Sequence, residues 1–429
     1  MNKRTPWTWV PSLYFAQGIP YVVVMTVAVI MYKRFGLSNT QIALYTSWLY
    51  LPWVIKPFWS PFVDILKTKR WWIVTMQLII GAGLGGVALS LPAPFFLKAS
   101  LTFFWLLAFS SATHDIAADG FYMHALDDSE QSFFVGIRST FYRLSMITGQ
   151  GLLIIFAGFF EKKTGNIPLS WSITFFVLAG LFVAFWLYHQ FILPKPPTDK
   201  GKKTETFADV ANEFGRTFVS FFTKKGIGMA IAFMLLYRLA EAMLVKLAQP
   251  FLLDAREVGG LGLETSEVGL AYGTVGVISL TIGGIIGGIV ASKKGLKYWI
   301  WPMALAITLP NAAYLVLAWL QPESFFWINV AVAVEQLGYG FGFTAYMLYL
   351  IYFSEGEHKT AHYSICTGFM ALGMMLPGMV AGWLQEQMGY VNFFTLVMIA
   401  TIPTLLIVPF LKIDKEFGKK VKTEYTIVC

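Results

Sequence analysis

Long apolar runs alternate with short polar segments along almost the whole chain. Twelve runs contain the roughly 20 predominantly apolar residues that a bilayer-spanning helix needs. Their predicted bounds are 9–31, 40–64, 71–91, 97–125, 133–160, 171–193, 227–253, 267–291, 298–320, 325–353, 362–385 and 391–412. The pattern therefore predicts an all-α membrane protein with twelve transmembrane helices.

One long polar stretch divides the runs into two groups of six. The predicted domains are a six-helix bundle at 1–193, a basic linker at 194–226, a second six-helix bundle at 227–412 and a tail at 413–429. The two bundles look like diverged repeats: polar capping segments precede the second and eighth runs, and basic-aromatic segments open the third and ninth. Ser38 and Gln41 have capping-box spacing. Two six-helix halves joined by a long loop resemble the major facilitator plan, in which substrate binds between the halves.

The composition supports a membrane protein and the charge gives its orientation. Of the 429 residues, 56% are hydrophobic and 13% are charged, whereas soluble domains carry about 25% charged residues. Of the 32 Lys and Arg residues, 21 lie in the loops and tails on the side of the termini, six lie on the opposite side and five lie within helices. This bias predicts cytoplasmic termini in a multi-pass protein of the bacterial inner membrane. It also explains the net charge of +8 without a nucleic-acid partner.

About nine charged residues lie in the interior of the predicted helices, away from their ends. A charge at the centre of a lipid-facing helix costs about 2.5–3.5 kcal/mol. These side chains are therefore expected to face a cavity, a partner or the interface. They are Lys56, Asp115, Asp119, Arg138, Arg143, Arg238, Glu241, Lys246 and Glu335.

Matched depths predict two ion pairs between the fourth and fifth helices. Asp115 and Arg143 each lie about 15 Å from the loop that joins these helices, and Asp119 and Arg138 lie about half as deep. The outer pair fits a structural salt bridge as well as a functional one. The inner pair is the favoured site of proton coupling, with Asp119 beside it. His114 is a further candidate, because a histidine can carry protons near neutral pH, although hydrogen-bonded packing is the alternative.

A broad polar stripe on the seventh helix predicts the wall of a central cavity. Gln17 in the first helix and Glu335 in the tenth add polar breaks. Trp48 and Trp53 could stack on sugar faces, although interfacial belts explain most tryptophans. The candidate substrate-binding residues are Gln17, Trp48, Trp53, Tyr142, Arg238, Glu241, Lys246, Gln249 and Glu335.

The loop between the second and third helices predicts a cytoplasmic gate. Asp64, Lys69 and Arg70 resemble a superfamily signature in which an acid and basic residues latch the gate, and Arg138 is assigned to the same gate. The positive-inside bias alone explains the lysines but not Asp64. The second repeat has Ala291 at the position equivalent to Asp64, so any latch is asymmetric.

Several segments resemble the AmpG-like muropeptide permease family of the major facilitator superfamily, which is related to acetyl-CoA transporters. They are 56–64, 112–119, 142–144, 236–243 and 249–254. The resemblance implies proton-driven import of N-acetylglucosaminyl-anhydromuramyl peptides, with Asp115 and Asp119 in coupling or binding. The family usually has Gln where this chain has His114, and Asp is common at the position of Glu241. A related amino-sugar oligosaccharide is therefore an alternative substrate.

The resulting hypothesis is a proton-coupled symporter of a glycan or glycopeptide that works by alternating access. We expect a monomer in the lipid bilayer, with no cofactor, no metal and no enzymatic activity. His358 and His362 are spaced i, i+4, but no third metal ligand accompanies them. The rivals are a drug or metabolite efflux carrier, a membrane-embedded acyl- or glycosyl-transferase, and a non-transporting sensor.

Overall fold

The chain is entirely helical in the part that the computed structural model describes, residues 5–197, 199, 207–356 and 358–419. Nine helical stretches within that part are long and apolar enough to cross a membrane. The predicted all-α membrane fold is confirmed.

Six helices precede the predicted linker. They are α1 (Pro6–Arg34), α2 in two segments (Asn39–Trp48 and Leu51–Leu66), α3 (Lys69–Ser90), α4 (Phe96–Ala125), α5 (Ser129–Thr164) and α6 (Ile167–Ile192). The linker contains a helix of its own, Phe207–Phe222. We call α1–α6 the N-half.

The C-half follows the linker helix. It contains α7 (Ile227–Leu253), α8 (Thr265–Lys294), α9 (Leu296–Leu320) and α10 (Phe325–Ser354). A last helical stretch, Ala361–Phe410, is 50 residues long and would measure about 75 Å as one straight helix. Gly389, with φ of 76° and ψ of 169°, breaks this stretch into α11 (359–388) and α12 (390–410). The predicted count of twelve helices is consistent with this division.

Capping boxes form at the starts of α2 and α8, the two helices that the predicted repeat makes equivalent. Before α2, the Gln41 amide donates to Ser38 Oγ and the Ser38 amide donates to Gln41 Oε1, both over 3.2 Å. Before α8, Glu264 and Glu267 form the same type of capping box. Each box satisfies backbone donors that a helix start otherwise leaves free.

The two halves touch through backbone where α5 crosses α8. Both helices have a π-helical turn there, Thr148–Leu152 and Gly269–Gly276. A Cβ atom on Gly273 would lie 1.8 Å from the Gln150 carbonyl oxygen, and one on Gly158 would lie 2.6 Å from the Ser266 amide nitrogen. Glycine is required because the helices are closer here than a side chain permits.

Polar contacts hold the two halves together on the side of the protein away from the linker helix. We call this side the opposite side. Lys33 Nζ lies 2.5 Å from Asp254 Oδ1. Asn39 Nδ2 donates to Gln385 Oε1 over 2.6 Å and to the Tyr390 hydroxyl over 2.9 Å. These five residues join α1 and α2 to α7, α11 and α12. We call them the opposite-side latch.

The linker helix contacts both halves on the linker side. Phe214 and Phe218 each pack against Phe58 of α2, with ring centroids 5.8 Å apart. Phe221 packs against Phe353 of α10 and Phe369 of α11. The segment predicted as a linker therefore forms an aromatic connection between the halves.

Candidate functional site

Asp115 lies near the middle of α4, where side chains from α1 and α2 meet it. Its Oδ2 accepts a hydrogen bond from Trp53 Nε1 over 3.2 Å and lies 3.8 Å from Lys56 Nζ. The Gln17 side chain lies beside the same carboxyl group. The Asp115 side chain is only 16% exposed. A largely buried acid thus has one cationic partner and at least one hydrogen-bond donor.

The predicted pair between Asp115 and Arg143 is wrong. Arg143 Nη1 instead lies 3.4 Å from the Thr281 carbonyl oxygen of α8, and its guanidinium lies beside Gly284. The two residues have similar depths, but Arg143 projects toward the C-half whereas Asp115 pairs with Lys56 of α2. Arg143 therefore bridges α5 and α8, and its proposed part in proton coupling stays a prediction.

The predicted outer pair is confirmed. Arg138 Nη2 lies 3.3 Å from Asp119 Oδ1, and the Tyr14 hydroxyl donates to the same oxygen over 3.2 Å. The guanidinium lies 4.7 Å and 5.0 Å from the ring centroids of Tyr14 and Tyr122. Asp119 is 44% exposed, so this pair is much more accessible than Asp115.

His114 belongs to a buried hydrogen-bond chain that the sequence did not reveal. Its Nε2 lies 3.1 Å from Gln77 Nε2. Gln77 Oε1 lies 2.9 Å from His189 Nδ1, and His189 Nε2 lies 2.9 Å from Ser12 Oγ. The chain ties α4, α3, α6 and α1 together. Gln77 and His189 are polar residues within predicted apolar runs. A polar residue in such a run is the sequence feature that could have pointed to them.

Arg238 occupies a break in α7, between Ile227–Leu236 and Leu239–Leu253. Its Nη2 donates to the Tyr339 hydroxyl over 2.5 Å, and its guanidinium lies 4.7 Å from the Phe343 ring centroid. The residue is 6% exposed. Aromatic faces of α10 therefore hold a buried cation in a fixed position.

Glu241 and Glu335 are the most buried acids predicted for the site, each 1% exposed. Glu335 Oε2 accepts a hydrogen bond from Gln336 Nε2 over 2.9 Å. Neither oxygen of Glu241 has a hydrogen-bond partner among the described residues, and the same holds for Glu335 Oε1. The structure places these two acids close enough to interact electrostatically.

Lys246 turns from α7 toward the N-half. Its Nζ donates to Thr46 Oγ1 of α2 over 3.0 Å and lies 5.5 Å from the Tyr50 ring centroid. Gln249, which follows it on α7, is 2% exposed. The predicted polar stripe is thus buried within the protein instead of facing lipid.

Tyr21 of α1 connects the polar groups of the two halves. Its ring packs edge-on against Trp53, with centroids 5.3 Å apart. The Tyr21 hydroxyl interacts electrostatically with both Asp115 and Arg238, and Tyr142 also interacts with Tyr21 and Asp115. An acid of the N-half and a cation of the C-half therefore both influence the electrostatics of the same phenol. We call Asp115, Trp53, Tyr21 and Arg238 the central cluster.

The remaining candidates lie outside this cluster. Trp48 is 41% exposed, whereas the members of the central cluster are buried or half-buried. Arg70 reaches the end of α6, where it donates to the Leu193 carbonyl over 3.3 Å and also to that of Gln190. Asp199 of the linker accepts hydrogen bonds from the Lys69 and Arg70 amides over 2.7 Å and 3.0 Å. The side chain of Asp64 lies outside the part that the structure describes, so the gate stays a prediction.

Comparison with known proteins identifies the class. A sequence model of the Major Facilitator Superfamily matches residues 12–355, and the chain therefore belongs to that superfamily. It is a multi-pass membrane transporter and not an enzyme.

Within the superfamily, the chain is similar to AmpG proteins. It is 27% identical over 414 residues to a transporter named AmpG 4 from Rickettsia conorii (strain ATCC VR-613 / Malish 7), covering 93% of this chain and 94% of that relative. It is 24% identical over 417 residues to the anhydromuropeptide permease of Escherichia coli (strain K12), covering 92% of this chain and 77% of the permease. The resemblance to the AmpG-like family is confirmed.

The solved structure of the nucleoside transporter NupG has the same fold. It superposes with a TM-score of 0.70 at 17% identity, over 95% of this chain and 98% of that one. At this level of identity the likeness shows the fold alone.

Proposed function

We propose that the protein imports anhydromuropeptides, or related amino-sugar oligosaccharides, across the bacterial inner membrane by proton-coupled alternating access. The observation that carries this proposal is the central cluster, where a largely buried Asp115 with Lys56 and Trp53 as partners and the buried Arg238 of the other half both influence Tyr21. A titratable acid and a cation from different halves suit transport in which the halves move relative to each other. The similarity to an anhydromuropeptide permease supports the substrate class.

The chemistry of the cluster suits a glycopeptide. Arg238 and Lys246 offer cationic groups for peptide carboxylates, since guanidinium and ammonium groups bind carboxylates strongly. Gln17 and Gln249 offer amide donors and acceptors for sugar hydroxyls, and Trp53 offers an apolar ring face. Gln17 Oε1 and Arg238 Nε have no hydrogen-bond partner among the described residues, and a purely apolar cargo would leave them unpaired at about 1–3 kcal/mol each.

Alternating access accounts for the closed opposite side. With the linker side cytoplasmic, as the Lys and Arg bias favours, the latch and the α5–α8 crossing close the periplasmic side. Import then requires a second state in which these contacts separate and the linker-side contacts close.

Uptake into proteoliposomes tests the proposal. The purified protein is reconstituted, an inward proton gradient is imposed, and entry of a radiolabelled disaccharide-anhydromuramyl tripeptide is followed with and without a protonophore. We expect accumulation that the protonophore abolishes and that Asp115→Asn reduces to the level of empty liposomes. Gradient-driven exit of the label would instead identify an efflux carrier, and no movement in either direction would refute transport of this substrate.

A further inference from the structure

The acid pair Glu241 and Glu335 carries more negative charge than its surroundings balance. Glu241 lies on α7 and Glu335 on α10, and both are almost completely buried. Three of their four carboxyl oxygens have no hydrogen-bond partner in the described parts of the chain. A buried carboxylate without partners is strongly disfavoured, so such a group takes up a proton or acquires a cation.

One cation lies on the Glu241 side of the pair. Arg238 interacts electrostatically with Glu241, and its guanidinium stays bound to Tyr339. With both acids ionised, two negative charges would face one positive charge, so a single proton restores neutrality. Two interacting carboxyl groups in a common buried environment commonly hold one proton between them.

Within the part of the chain that the structure describes, the other groups around the pair do not supply a second cation. Tyr272 of α8, Tyr314 of α9, Tyr339 of α10 and Tyr50 of α2 all interact with these acids, and each is a neutral phenol. Lys246 on the same helix as Glu241 is bonded to Thr46 of the N-half and so is directed away from the pair.

We propose that Glu241 and Glu335 share one exchangeable proton and form a protonation site in the C-half, separate from Asp115. Arg238 connects this site to the central cluster. When a substrate carboxylate binds Arg238, Glu241 loses part of its neutralisation, and proton uptake by the acid pair becomes more favourable. Substrate and proton would then bind cooperatively. This coupling step rests on the proposed function, whereas the shared proton does not.

Infrared difference spectroscopy of the purified protein without substrate tests the shared proton directly. A pH change should reveal the carbonyl-stretch band of a protonated carboxylic acid, which deuterium exchange shifts. Glu335→Gln should remove the band, because Arg238 then faces one ionised acid and the site is neutral without a proton. Glu241→Gln should change the band as well, because Glu335 then titrates without its ionised neighbour, and it serves as a second variant if the first fails to fold. Glu335→Asp should retain the band.

Transport assays on the same variants test coupling. Glu335→Gln should keep substrate counterflow, which needs no proton gradient, while gradient-driven accumulation falls about ten-fold or more. Glu323→Gln changes an exposed acid in the α9–α10 loop and should behave as wild type in both assays.

The possible results separate this proposal from the proposed function. A band that is unchanged in both glutamine variants, or a site that binds Na⁺ and shows no protonated band, overturns the shared proton. Full proton-driven accumulation by Glu335→Gln overturns its role in coupling. A wild-type protein that shows the band but moves no muropeptide contradicts the proposed function while supporting the acid pair.

Discussion

Trp53 of α2 donates its indole hydrogen to the Asp115 carboxylate of α4 over 3.2 Å. The same segment of α2 contacts the C-half, because a Cβ atom on Gly368 of α11 would lie 2.9 Å from the Val54 carbonyl oxygen. The donor residue Trp53 is therefore adjacent in the chain to Val54, which lies at the interface between the halves. Protonation of Asp115 would change a contact of α2 at the place where α2 meets α11.

Replacing Trp53 with phenylalanine should impair proton-driven uptake. The substitution keeps an aromatic ring beside Tyr21 but removes the donor to Asp115. Hydrogen bonds to charged groups contribute about 1.5–3 kcal/mol, so we expect the initial uptake rate to fall about ten-fold or more. The measurement is uptake in proteoliposomes, with Trp327→Phe, at a tryptophan of α10 that is 59% exposed, as the control. Equal rates for the two variants would show that the indole donor has no role.

Replacing Gly273 with alanine should destabilise the state that is closed on the opposite side. The new Cβ would lie 1.8 Å from the Gln150 carbonyl oxygen, and such overpacking costs about 1–3 kcal/mol. A cysteine at Ala43, which is 1% exposed in the closed state, should then react faster with a membrane-impermeant thiol reagent. Gly288→Ala is the matched control, since no atom lies within 4 Å of its added Cβ. Unchanged reactivity of the cysteine would mean that the closed state tolerates the added methyl group at the α5–α8 crossing.

Breaking the ion pair between Lys33 and Asp254 should open the opposite side. Both side chains are largely buried, 14% and 16% exposed, so removing one charge leaves the other poorly compensated. We expect Lys33→Asp and Asp254→Lys each to increase labelling of the cysteine at position 43 several-fold. A ten-fold change in the population of the open state corresponds to about 1.4 kcal/mol. The double charge reversal should return labelling toward wild type. If the double variant labels as fast as the singles, the pair does not hold the closed state.

Replacing Arg238 with lysine should weaken substrate binding although the charge is kept. Lysine can keep a cation–π contact with Phe343, but its ammonium cannot offer a carboxylate the two parallel N–H donors of a guanidinium. Hydrogen bonds to charged groups contribute about 1.5–3 kcal/mol, so the apparent KM for muropeptide should rise about ten-fold or more. Arg256→Lys, in the loop after α7, is the control. Identical KM values in the two variants would remove Arg238 from the substrate path.

The helices and one ion pair were predictable because they depend on local properties. Apolar length predicts a crossing wherever lipid is the solvent, and the capping box of Ser38 and Gln41 is encoded within four residues. Asp119 and Arg138 were matched by depth alone, which sufficed because a short loop makes α4 and α5 antiparallel neighbours.

The contacts that depend on helix rotation were not predictable in this way. Depth matching paired Asp115 with Arg143, but the direction in which each side chain leaves its helix assigns Arg143 to α8 and Lys56 to Asp115. The chain of His114, Gln77 and His189 requires the rotations of several helices at once. The π-helical turns at the α5–α8 crossing likewise depend on tertiary packing and have no simple sequence signature.

The contact between Gly273 and the Gln150 carbonyl contains no ionisable group. Salt acts on the charges of Lys33 and Asp254, although less than on exposed ions because both side chains are largely buried, and it leaves a steric backbone contact unchanged. The protein is thus closed on one side by one element that responds to ionic strength and another that does not. High ionic strength should therefore loosen the latch while the α5–α8 crossing still holds the halves together, so that salt alone does not open the opposite side.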